Sequence, residues 1–181
     1  MAVVAFQGEL GAYGDEAVRA RFGPSVEPYP CKSFADLFEA VASGKVDYGL
    51  APVENSQAGS INDVYDLLRQ HDLYVAGEVL HPVNHALLAL PGQTLADIRR
   101  VISHPQALAQ CDRFLRELGV EVVATYDTAG SAKLIREEGL TGVAAVAGVG
   151  AAERYGLTVL AESIQTIKDN VTRFVQLQRH P

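Results

Sequence analysis

Near the end of the chain, Val171-Thr172-Arg173-Phe174-Val175-Gln176-Leu177 alternates as a strand does. Thr172 and Phe174 then share one face, and Arg173 shares the other with Val175 and Leu177. A guanidinium in line with aliphatic side chains needs an anion beside it, or a path by which its head reaches water. Three short segments have the complementary chemistry. Residues 55–60 (with Asn55, Ser56, Gly59 and Ser60), 104–107 (with His104) and 128–131 (with Thr128, Ala129 and Ser131) each follow a strand signal and open a helix signal. Main-chain N–H groups at a helix start, helped by the helix dipole, hold a carboxylate or a phosphate. Taken singly, each is equally an ordinary N-cap, contributing about 1 kcal/mol.

Strand and helix signals alternate along the whole sequence, which predicts an α/β fold of parallel strands covered by helices. Residues 2–6 read as a buried strand, followed by a glycine-rich turn and a helix over 13–22. Ser33 caps a helix whose stripe is Phe34, Leu37, Phe38 and Val41, and Gly44 stops it. A strand over 47–51 leads through a polar loop, 54–60, into a helix with Ile61, Val64, Tyr65 and Leu68 facing inward. The same grammar returns with a strand at 101–103 and a helix opened by Pro105, with Leu108, Cys111, Leu115 and Leu118 inward and Gly119 at its end. A strand over 120–125, a helix over 128–138 stopped by Gly139 and a strand over 142–147 follow; a last strand covers 170–178. Strand, hydroxyl cap, helix, glycine, strand thus occurs around Ser33 and again around Thr128. Two similar lobes are expected, one of residues 1–80 with 165–181 and one of 81–164. Two crossings between them would make a hinge, with a ligand cleft at the carboxyl ends of the strands.

Composition narrows the classes. The 181 residues are 48% hydrophobic and 20% charged, ordinary for a globular chain. A net charge of −7 argues against nucleic acid or an anionic membrane surface as partner. Fixed backbone dipoles can still bind an anion locally, because distant charge is screened by salt. No export signal or membrane-length apolar run is legible, and Cys31 and Cys111 read as reduced thiols, so a soluble cytoplasmic protein is expected. His81 and His85 flank Pro82 in an extended stretch with no cysteine nearby, so no metal site is expected. Gly148-Val149-Gly150 resembles the start of a dinucleotide loop, but Glu153 stands at the third glycine position, and no cofactor is expected. Ser56 has no nucleophile-elbow setting.

Five blocks, in order, resemble the prephenate dehydratase family: residues 6–13 (FQGELGAY), 52–60 (PVENSQAGS), 103–108 (SHPQAL), 128–132 (TAGSA) and 170–174 (NVTRF). They span nearly the whole chain. The resemblance implies a two-lobed fold like type II periplasmic binding proteins and the decarboxylating dehydration of prephenate to phenylpyruvate, a step towards phenylalanine. It implies that Thr172 is the residue essential for catalysis, and that Asn55, Ser56, Ser60, Thr128, Ser131, Arg173 and Phe174 line the site, with Gly59, His104 and Ala129 beside them. Gly14 departs from the family, which usually has Ser there. No regulatory ACT domain of the kind that follows in bacterial relatives lies within these 181 residues.

For such chemistry a hydroxyl donor must assist a poor leaving group, hydroxide. Thr172 is the expected donor, helix N-termini and Arg173 would hold the substrate carboxylate, and Phe174 is either an apolar wall for the departing carboxylate or plain core. Arogenate dehydration, and a non-catalytic cytosolic module binding a small acid on the same fold, are the alternatives. A homodimer is expected.

Overall fold

The computed structural model describes residues 1–181 and divides into two compact units, residues 1–82 with 169–181 and residues 83–168. These boundaries fall two to four residues beyond the crossings read from sequence.

The first unit contains β1 (Val3–Gln7), α1 (Tyr13–Phe22), β2 (Glu27–Cys31), α2 (Phe34–Ala42), β3 (Tyr48–Asn55), β4 (Gly59–Ser60), α3 (Asn62–Gln70) and β5 (Tyr74–Pro82). The second contains β6 (Ala86–Ala89), a 3-10 turn at Leu95–Asp97, β7 (Arg100–Ser103), α4 (Pro105–Gln110), α5 (Asp112–Leu118), β8 (Glu121–Ala124), α6 (Thr128–Glu138), β9 (Val143–Ala147), α7 (Val149–Tyr155) and β10 (Thr158–Ala161). β11 (Val171–Gln178) completes the first unit.

The first sheet has the order β2-β1-β3-β11-β5, with β4 paired to β3. β1 runs parallel to β2 and β3, whereas β11 is antiparallel to both β3 and β5. The carboxyl ends of β1, β2, β3 and β5 therefore gather at one edge with the amino end of β11. The second sheet, β10-β6-β9-β7-β8, has the same mixed character: β7, β8 and β9 are parallel, and β6 runs antiparallel to both of its neighbours, β9 and β10. Each lobe is α/β as expected, with about as much antiparallel as parallel pairing.

The apolar patterns explain the packing. Leu37, Phe38 and Val41 of the α2 stripe are fully buried against Ala51, Val53 and Leu177. Gly49 lets α2 lie close on β3, since a Cβ there would meet Val41 Cγ2 at 2.7 Å. Gly14 does the same for α1: its Cβ would meet Phe6 Cδ2 at 3.0 Å, which gives the departure from serine a packing reason. Ser33 caps α2 by accepting from the Asp36 N–H at 3.1 Å, and α1 and α6 have the bounds read from sequence.

Four expectations change. The strand read over 47–51 continues to Asn55, and the loop 54–60 is a tight hairpin in which Asn55 pairs with Gly59. Pro52, a residue that argues against a continuing strand, hid that strand end. Tyr65 is exposed, leaving Val64 as the buried residue of α3. The helix over 105–118 breaks at Cys111, because the Gln110 carbonyl accepts from the Thr166 N–H at 2.8 Å and is lost to the helix. Asp127, not Thr128, caps α6: its Oδ1 accepts from the Gly130 N–H at 2.7 Å. Cys31 and Cys111 are free and buried, and burial pushes their thiols up to about 11 and about 12.

Candidate active site

At the gathered strand ends of the first unit, β11 begins beside the end of β3. Register sets Thr172 opposite Asn55 on one side and opposite His81 on the other. Asn55 is 7% exposed and Thr172 9%. The Asn55 amide Nδ2 donates to Thr172 Oγ1 at 2.9 Å and to Asn170 Oδ1 at 2.9 Å. Its Oδ1 accepts from the N–H groups of Gln57 and Ala58 at 2.9 and 3.0 Å, which shapes the hairpin. With one Oγ1 lone pair filled by Asn55, the Thr172 hydroxyl is turned to donate its own proton elsewhere.

Around that hydroxyl, Phe174 is 5% exposed and packs edge-on to the His81 ring, centroids 6.5 Å apart. His81 Nε2 lies 2.9 Å from Glu16 Oε2 of α1. Ser56 ties the hairpin to the incoming chain, its Oγ accepting from the Val171 N–H at 2.9 Å. Gly59 supplies the positive φ of 83° that the hairpin requires, and Ser60 is exposed beyond it. This segment opens no helix; α3 starts at Asn62 without a side-chain cap.

Arg173 points to the other face, as alternation demands. There it meets Glu54 at 3.2 Å and Glu78 at 3.4 Å, and both partners hold its guanidinium charged. The anions the sequence called for are thus two glutamates of the neighbouring strands. They meet the guanidinium's need for an anion without a substrate carboxylate.

In the second unit, the strand ends carry His104, Thr125 and the start of α6. His104 caps α4 with its own ring, Nδ1 accepting from the Gln106 N–H at 3.1 Å; the neutral ring then carries its proton on Nε2. Ser131 is fully buried and donates to the Asp127 carbonyl at 2.7 Å, with Thr125 Oγ1 also against it. Its hydroxyl is engaged by the loop that opens α6. Asp127 puts a carboxylate at the α6 N-terminus that was expected to receive one, leaving the first-turn N–H groups of Thr128 and Ala129 as the main-chain candidates there. His85 is 3% exposed, with Nε2 2.7 Å from Gln110 Oε1 and its N–H donated to Gln165 Oε1; burial lowers its pKa.

Sequence reasoning missed Asn170, His81 and Glu16 as parts of this constellation. Asn170 lay inside a recognised block, but its 2% exposure and its bond to Asn55 come from the fold. No helix is long and apolar enough to cross a membrane, and no group of three or more His, Cys, Asp or Glu that could hold a metal ion is assembled.

Comparison defines first the class. A methionine-bound nutrient-binding protein of Burkholderia cenocepacia shares the fold with a TM-score of 0.54 at 11% identity, over 99% of this chain and 85% of that one. Within this binding-protein-like class the relatives are specific. The family model of prephenate dehydratase matches residues 4–181, and the chain belongs to that family. It is 49% identical over 178 residues to arogenate dehydratase/prephenate dehydratase 2, chloroplastic, of Arabidopsis thaliana, covering 98% of this chain and 46% of that protein. The prephenate dehydratase of Arthrobacter aurescens, solved in complex with L-Phe, superposes with a TM-score of 0.91 at 30% identity, over 99% of this chain and 61% of that one. The chain spans about half the length of curated relatives that it matches, 42–46%.

Proposed function

We propose that this chain carries the catalytic centre for converting prephenate to phenylpyruvate, carbon dioxide and water. One observation carries the reading: Asn55 Nδ2 donates to Thr172 Oγ1 at 2.9 Å, which orients a hydroxyl proton away from the sheet for use on a substrate. The reaction makes an aromatic ring, so the substrate supplies much of the driving force. The protein must place it and stabilise the departing hydroxyl. Thr172 donates to that oxygen. Asn55 and Asn170 fix the rotamer of Thr172, while Ser56 and Gly59 hold the hairpin that presents Asn55. Phe174 provides an apolar wall, where a ring carboxylate is poorly solvated and more ready to leave. For the substrate's acid groups the candidate within the first unit is the exposed Ser60 hydroxyl, on β4 opposite Glu54.

Arogenate is the second substrate to consider, because the plant relatives are named arogenate dehydratases. It differs by an amine where prephenate has a keto group. Product formation from both substrates, followed by ultraviolet absorbance and chromatography, tests the reading. Thr172→Ala should lower kcat by about 100- to 1,000-fold, as loss of an oriented donor does, and Thr172→Ser should retain part of it. An alanine variant at the wild-type rate overturns the assignment. Binding of prephenate without turnover by the wild type would favour a sensor.

A further inference from the structure

His81 faces Thr172 across the β5–β11 ladder, where paired side chains have Cβ atoms about 4.5–5.5 Å apart. Its Nε2 is 2.9 Å from Glu16 Oε2, and the Tyr13 and Phe174 rings flank it with centroids at 6.5 Å. The histidine side chain is 13% exposed and the glutamate 26%, so the pair is sheltered by α1 yet wetted through the carboxylate. A hydroxyl that accepts from Asn55 thus stands opposite an imidazole on the neighbouring strand, and that imidazole meets a carboxylate of α1. A threonine is too weak an acid to give up a proton unless another replaces it at once. Imidazole is the side chain suited to that exchange near neutral pH.

We infer that the Glu16–His81 pair is the proton store that reloads Thr172 as the substrate hydroxyl leaves. The inference rests on the reading of Thr172 as donor. The bond from ring carbon to hydroxyl oxygen breaks with its electron pair on oxygen. The bond from ring to carboxylate breaks, its pair closes the aromatic ring, and carbon dioxide departs. The leaving oxygen takes the Thr172 Oγ1 proton and goes as water. Oγ1 takes a proton from protonated His81, and the ring regains one from solvent past Glu16. His81 acts through Thr172 and is a positioning residue, not one that touches substrate. The titratable groups facing its ring are Glu16 and Tyr13, both from α1; β11 presents Thr172 and Phe174.

The test measures kcat and KM for prephenate and arogenate across the neutral pH range, on the full chain and on Thr172→Ala, His81→Gln and Glu16→Gln. The expected result is a fall in kcat of about 100-fold for His81→Gln with KM little changed. Wild-type turnover that Thr172→Ala abolishes establishes the donor independently. Failure of that control overturns the parent reading, and the relay with it. Where the control holds, a folded His81→Gln with the wild-type kcat and KM overturns the relay alone. Should His81→Gln not fold, as judged by circular dichroism, Glu16→Gln decides in its place: an unchanged kcat overturns the inference.

Discussion

Both ends of the Asn55 amide are engaged, one by the hairpin N–H groups and one by Asn170 and Thr172. Asn55→Ala leaves buried acceptors and donors short of partners, so it should cost about 2 kcal/mol of stability and also lower kcat. Urea melts and turnover read the two effects separately; a variant with normal stability and normal kcat would remove Asn55 from both roles. Arg173 presents the opposite case. Its partners are exposed glutamates on the other face of the sheet, and exposed ion pairs contribute little. Arg173→Lys should leave kcat and KM within about twofold of wild type. A KM raised tenfold or more would mean that the guanidinium grips substrate after all.

At the scale of elements, the site depends on how tightly helices seat on the first sheet. β3 carries Asn55 at its end, and α2 approaches the same strand at Gly49. A methyl group at Gly49 would meet Val41 Cγ2 at 2.7 Å and Leu37 Cδ2 at 3.0 Å, with both side chains fully buried. Gly49→Ala should therefore destabilise the protein by about 1–3 kcal/mol through overpacking, despite the gain usual for replacing glycine. An unchanged or higher melting temperature would show that α2 can move aside without cost. The bounds of α1 and α6 were legible in sequence, α1 from the glycine-rich turn before it and α6 from its stop at Gly139. The break at Cys111 was not, because its cause is the Thr166 N–H, far along the chain.

For the molecule as a whole, His85 ties pH to folding. Burial pushes its imidazole below the ordinary 6.5, with the Gln110 hydrogen bond acting the other way. Unfolding returns the group to that ordinary value, so the unfolded chain takes up the proton first as pH falls. Its contribution to stability is complete above about pH 6.5 and is lost as pH falls through the folded value. Urea midpoints should drop on acidification, and His85→Gln should flatten that dependence; parallel pH profiles would exclude His85 as the cause. The sequence by itself determined the alternating α/β elements, the buried stripes and the family, since these follow from local periodicity and contiguous blocks. The tertiary structure alone decided which polar groups meet. Asn55 finds Asn170 and Thr172 across 115 and 117 residues, and Arg173 finds Glu54 across 119. Spacing along a chain fixes the face a side chain occupies, but its partner depends on which strands the sheet brings side by side.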